Sequence, residues 1–345
     1  QPAAAAGQAV TEVTAGEALA RAMTAAKGNP GLQNLLVTPI LTGELDAAVA
    51  AIERIEAYLT GEEAVGVADE VTTNAAVVFL RRMAFEQYRQ ALTDDETQAL
   101  RALTVIGSGV WPAGVDSTTV GRLALGEVPV PVSVAEDLAA NAGAGDPGMA
   151  VRRLVSLGLA DSYAERVGLG GAGLAANPLA RPLVDQLTDD DTTRLAGVLV
   201  ARLPGAWRHP ALTPWPLDAR SVEAARLALL AGDPAGSQSA ALAVINYLFD
   251  DLQTAAAARA ALAISVAALD LAVSTGSALD LVLARRAADV AVRIGDGMAR
   301  QHVFDISAGR GDGGDQRARA QLDISRADHL VTLGEIDAAL RLLRG

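Results

Sequence analysis

The sequence predicts a mainly α-helical chain interrupted by one short β-hairpin. Three observations carry this. Alanine is abundant and aromatic residues make up only 3% of a chain that is 51% hydrophobic, a mixture that suits closely packed helices better than sheets. Apolar residues recur at spacings of three and four, as in Leu45, Val49, Ile52, Ile55 and Leu59. Helix starts and stops are written out as Ser/Thr-x-x-Glu boxes and as glycines that end apolar stripes.

Thr14-Ala15-Gly16-Glu17 opens the first helix, because the Thr14 hydroxyl can accept from the third helical N–H while Glu17 reaches back to the cap. Gly28 can adopt the left-handed conformation that ends it, and Pro30 suits the first position of the next helix. Gly28-Asn29-Pro30 is therefore a sharp helix–helix corner. Helices follow over 44–59 and near 74–91, the first trailed by a hinge or linker at 61–70. On the second, Arg81, Arg82 and Arg89 read as a solvated face behind the stripe Val77, Leu80, Ala84, Tyr88. Thr93–Glu96 and Ser133–Glu136 are further capping boxes, and Asp146-Pro147 is a cap followed by proline at the first helical position. That last helix closes at Gly158 with Leu159 behind it. Leu159–Leu169 and Leu174–Ala176, joined by a glycine cluster, read as a β-hairpin, and Asn177-Pro178 as the start of another helix. Three helices followed by a hairpin is the order of a winged helix.

From 188 onward only helices are expected, over Thr188–Leu203, Asp218–Ala231, Ser237–Leu252, 254–274, 278–294, 315–333 and 335–344. Helix ends recur at Gly276, Gly295 and Gly334, the second interval being about twice the first, which suggests stacked helical hairpins. Small residues such as Ala338 and Ala339 beside Leu330 and Leu333 match the small-and-large alternation of tetratricopeptide-like (TPR-like) pairs, with Ala338 at the tight contact. Three regions result: 1–61 helical, 62–187 a winged-helix-like domain with a short β-hairpin, and 188–345 a TPR-like α-helical repeat array. Leu340 and Leu343 would form an uncapped apolar edge, so the chain reads as a piece of a longer protein with further repeats or an effector domain beyond it.

Composition excludes several functions. The net charge of −13 disfavours a nucleic-acid partner, since phosphate binding needs concentrated Lys and Arg. Lys27 is the only lysine, and it is followed by Gly28, so no Gly-Lys-Ser/Thr phosphate loop exists here. Without cysteine there is no disulfide or thiolate metal site, which fits a cytoplasmic setting. The most apolar stretch, 255–275, is interrupted by Arg259 and Asp270, and no membrane association is expected.

Taken together, Gly28-Asn29-Pro30, the segment Leu92–Leu103, the helix end Leu154–Asp161 and Asn177-Pro178-Leu179 resemble elements of the STAND-class signalling ATPases, in the order lid helices, winged helix, helical-repeat sensor. Asn177 stands where that family often has histidine. The resemblance implies that Gly28, Asn29, Pro30 and Asn177 border a nucleotide, with Pro30 near the adenine. It also implies ATP or ADP in the full-length parent and none held by this fragment, which lacks the phosphate loop. The fragment would then be no enzyme by itself. It would hold a switch state and bind a signal, a protein partner or a fused effector domain, with oligomerisation belonging to the parent. A winged-helix transcription regulator and a helical scaffold are the alternatives. Against the first, the helix Val134–Asn141 carries Glu136 and Asp137 and no basic residue.

Other motifs have plainer explanations. Gly168–Gly173 satisfies G-x-G-x-x-G, but no βαβ unit surrounds it, so a wing tip is the better reading. Arg310-Gly311-Asp312 reads as a solvated loop. The acids at 94–96 and 189–191 suit helix starts. His209, His302 and His329 lack ligand spacing, and Trp111, Trp207 and Trp215 border prolines as loop anchors.

Overall fold

The computed structural model describes residues 13–60, 74–112, 114–120, 128–163, 173–206, 219–250, 254–308 and 316–344. Among these are sixteen α-helices and three short strands. The first helices are α1 (Ala15–Ala25), α2 (Pro30–Thr42), α3 (Leu45–Thr60), α4 (Asn74–Gln90), α5 (Asp94–Leu103) and α6 (Ser117–Val120). Strand β1 (Val130–Pro131) runs into α7 (Val132–Asn141), followed by α8 (Pro147–Ser156), β2 (Ala160–Tyr163) and β3 (Gly173–Ala176). The remainder is α9 (Asp189–Ala206), α10 (Ala219–Leu230), α11 (Pro234–Asp250), α12 (Ala255–Ser274), α13 (Leu281–Ile294), α14 (Gly297–Ser307), α15 (Gln316–Thr332) and α16 (Ile336–Arg344). The mainly α class with a short hairpin is thus what the chain adopts: β2 and β3 are neighbours in an antiparallel sheet.

The chain divides into two compact units. Unit one holds the described residues within Gln1–Leu103, Ala142–Ser162 and Leu174–Gln186. Its first corner forms as its residues dictate. The Thr14 hydroxyl accepts from the Glu17 N–H at 3.3 Å, and Glu17 accepts from the Thr14 N–H at 2.9 Å. Gly28 sits at φ +78°, and the Asn29 side chain caps α2 by accepting from the Leu32 N–H at 3.0 Å. Helices α1, α2 and α3 pack on one another, and α4 packs on α2 and α3. The core between them contains Leu32, Leu36, Ile52, Ile55, Leu80 and Phe85, all fully buried. Buried Tyr88 donates to the Leu35 carbonyl at 3.0 Å, which satisfies its hydroxyl and leaves the ring in the core.

Helices α5 and α8 pack together in the same unit. The Thr93 capping box is present, with the Thr93 N–H donating to Glu96 at 2.8 Å. Glu96 also meets Arg153 of α8 at 3.0 Å, and Arg153 reaches Glu44 at 3.2 Å and the Ala91 carbonyl at 3.2 Å. A single guanidinium therefore fastens three segments. Gly158, at φ +69°, ends α8, and the Leu159 N–H bonds back to the Leu154 carbonyl at 2.9 Å.

Unit two holds the described residues within Thr104–Asn141, Tyr163–Gly173 and Leu187–Gly345. From α9 to α14 each helix packs on its successor, and α15 packs on α13 and α16. Gly232, Gly276, Gly295 and Gly334 all take positive φ at the turns. A continuous apolar core includes Leu229, Ile245, Leu269, Leu283, Val303 and Phe304. Arg226 of α10 is also buried, 1% exposed, and it binds Glu223 and donates to Ser108 and to the Val105 and Val110 carbonyls. Among the described residues α12 alone is long and apolar enough to cross a membrane, and half of it is buried in the fold.

Four local expectations are revised. Ser133 lies inside α7 and caps nothing, because the helix begins at Val132 directly after β1. The helix expected from Asn177-Pro178 is only a turn and the 3₁₀ segment Arg181–Leu183. There the Asn177 side chain accepts from the Leu179 N–H at 3.0 Å, and Pro182 removes a donor. Helix α14 was not anticipated, although Asp296 caps it by accepting from the Ala299 N–H at 2.9 Å. In α16 the buried alanine is Ala339, 2% exposed, whereas Ala338 is half-buried. The linker at 61–70, most of the glycine cluster, the Trp207–Trp215 loop and Arg310-Gly311-Asp312 lie outside the described residues.

Candidate functional site

The outer face of α2 places Gly31, Asn34, Leu35 and Thr38 in line, at the i, i+3, i+4, i+7 spacing of a helix face. Together with Arg81 of α4, the end of α8, the start of β2 and Asn177, this face lines a cleft of about 270 Å³ that lies wholly within unit one. Gly158 comes close enough to α2 that an added Cβ would stand 3.3 Å from a Leu35 methyl, so glycine also permits this approach.

Asn177 is 5% exposed and fully engaged. Its Nδ2 donates to Asp161 Oδ1 at 3.2 Å, its Oδ1 accepts from the Leu179 N–H, and its backbone N–H donates to the Leu159 carbonyl at 2.9 Å. It thereby locks the end of the hairpin and presents Asp161 to the cleft. Burial raises the Asp161 carboxyl above its ordinary range, with the Asn177 amide and the nearby Arg81 charge opposing the rise. Arg81 is half-buried, and its Nε is buried without a hydrogen-bond partner. A guanidinium that lines a cleft can receive a carboxylate or phosphate oxygen, and the Asp161 carboxylate can accept from a hydroxyl or amine.

Of the four residues singled out from the sequence, Asn177 lines this cleft, and the Gly28-Asn29-Pro30 corner reaches it through the adjacent Gly31. Gly28, Asn29 and Pro30 are not themselves among its lining residues; Gly28 and Pro30 are exposed, and Asn29 caps α2. Sequence reasoning assigned Arg81 to a solvated face and passed over Asp161. The available signal was polar Asn34 and Thr38 along one edge of the otherwise apolar α2. No group of three or more His, Asp or Glu residues that could hold a metal occurs among the described residues. Comparison with protein-family models, with curated proteins and with solved structures finds no match.

Proposed function

We propose that this chain is the regulatory and sensing portion of a STAND-type signalling ATPase, acting in the cytoplasm. Unit one would supply the lid-side edge of a nucleotide site, and the helical array of unit two would bind the signal or a protein partner. The reading is supported by one observation above all: Asn177 and Gly31, the residue that follows the Gly28-Asn29-Pro30 corner, are distant in sequence but line one cleft that also presents Arg81 and Asp161. In this reading Arg81 receives an anionic oxygen of the nucleotide and Asp161 a hydroxyl or amino group. Asn177 positions Asp161 and replaces the charged contact that a histidine would make.

The test is hydrogen exchange of the chain with and without millimolar ADP. Protection of Gly31–Thr38 and Ala160–Asn177, lost in Arg81→Gln with the fold intact, is the expected result. Equal exchange with and without ADP overturns the nucleotide reading. ATP turnover by the purified chain above a buffer control would overturn the assignment to a non-catalytic regulatory part.

A further inference from the structure

Helix α16 meets α15 through Ala339, 2% exposed, and leaves a second face uncovered. On that face Ile336, Leu340 and Leu343 recur at spacings of four and three. At about 100° per residue they fall within one stripe about 60° wide. They are 58%, 43% and 56% exposed, and exposed Leu333, at the turn into the helix, continues the same register. One exposed leucine is ordinary, but a run of them in one register, rimmed by charge, marks a binding face. The four-three spacing is that of a helix seam filled by another helix.

The rim indicates which helix. Asp337 and Arg344 lie on one flank of the stripe, seven residues apart, about 10 Å along the axis. Both are exposed, and neither makes an ion pair among the described residues. The other flank is Ala339, which faces α15. A second α16 laid antiparallel on the stripe, across a twofold axis at Leu340, would set Ile336 against Leu343 of the second copy. The same operation sets Asp337 against Arg344 of the second copy, and the twofold axis makes that pair occur twice. Antiparallel packing also opposes the two helix dipoles. Parallel packing would instead put Asp337 beside Asp337 and Arg344 beside Arg344. The face therefore carries its own complement, in one orientation only.

We propose that α16 is a self-association surface: two copies of this chain pair through antiparallel α16 helices, with Leu340 at the axis and an Asp337–Arg344 ion pair at each end. The proposal concerns unit two alone and does not rest on the nucleotide reading. One short helix a side makes a small interface, so the dimer is weak, with a Kd on the order of 100 µM.

The test is sedimentation equilibrium of the whole chain from about 10 µM to about 1 mM, which brackets that value. Monomer giving way to dimer is the expected result. Leu340→Glu, which sets two carboxylates at the axis, should leave only monomer, with the circular dichroism spectrum of the parent because the position is exposed. Asp337→Arg and Arg344→Asp should each be monomeric, since like charges then meet at both ends of the pair. Mixed in equal amounts, the two variants should dimerise again, because each supplies the charge that the other has reversed. General stickiness of an apolar face cannot produce that recovery. A parent chain that stays monomeric throughout overturns the proposal and leaves the face to a different protein. So does self-association that is indifferent to Leu340→Glu, or a mixture that stays monomeric while both variants keep the parent's circular dichroism.

Discussion

Two buried cations show how much individual residues decide in this molecule. Arg226 and Glu223 are each more than nine-tenths buried, and the guanidinium also satisfies the Val105 and Val110 carbonyls. Removing the guanidinium alone leaves the buried Glu223 carboxylate with only the Gly107 N–H, at 2.7 Å, and takes a donor from each of the two carbonyls. Arg226→Ala should therefore cost about 3–5 kcal/mol, measured as a shift in urea midpoint. Arg226→Lys should recover little, because an ammonium cannot reach all of these acceptors from one fork. Arg300 acts similarly against His329: its Nη1 lies 3.2 Å from His329 Nδ1, and His329 Nε2 lies 3.1 Å from Gln301 Oε1. Since arginine can only donate, Nδ1 must accept and Nε2 carries the proton in the neutral ring. Burial first, and the Arg300 charge second, hold the imidazole below its usual pKa, against opposing contributions from Asp328 and Glu335. The folded state thus takes up a proton less readily than the unfolded one. The contribution of His329 is fully present above the unfolded value of about 6.5 and is lost as pH falls through the lower folded value. Stability measured from neutral to mildly acidic pH should decline less steeply in His329→Gln than in the parent.

At the scale of elements, caps and turn glycines carry the organisation that the packing then uses. Asn29 both ends the corner after Gly28 and starts the helix whose outer face lines the cleft. Asn29→Ala should cost about 1 kcal/mol in thermal stability. In α16 the packing position is Ala339, so Ala339→Phe should overpack the contact with α15 and cost about 1–3 kcal/mol. Ala338→Phe, at the half-buried neighbour, should shift the melting midpoint less. Equal shifts for the two variants would mean that α16 is rotated from the position described. The periodicity of α15 and α16 announced a helical pair, but a pattern with alanine at both 338 and 339 does not say which one faces the neighbour. Only the orientation of Leu340 and Leu343, exposed by 43% and 56%, settles it. Helix α14 escaped notice for a different reason: its apolar residues are few, and its charged Arg300 is buried. A stripe of hydrophobic residues is a poor guide where a salt-bridged arginine occupies a core position.

For the molecule as a whole, charge sets one expectation that does not depend on any pocket. With a net charge of −13, the chain should show no micromolar binding to duplex DNA at physiological salt in an anisotropy titration, because non-specific affinity comes mainly from phosphate neutralisation. The two units divide the chain in a way that sequence order does not suggest. Residues 142–162 and 174–186 join the N-terminal helices, while α7, which comes before residue 142, packs with α9 in unit two.

The sequence by itself determined the helical class, the hairpin, nearly all helix starts and the absence of a phosphate loop, because each of these follows from local chemistry. A hydroxyl three residues before a glutamate, a glycine that tolerates positive φ, or a missing lysine acts within a few positions of itself. Only the tertiary structure decided that Asn177 meets Asp161 and that Arg81 turns from solvent to the rim of a cleft. These are contacts between segments distant in the chain. They depend on how whole faces pack, which the local spacing of residues does not encode.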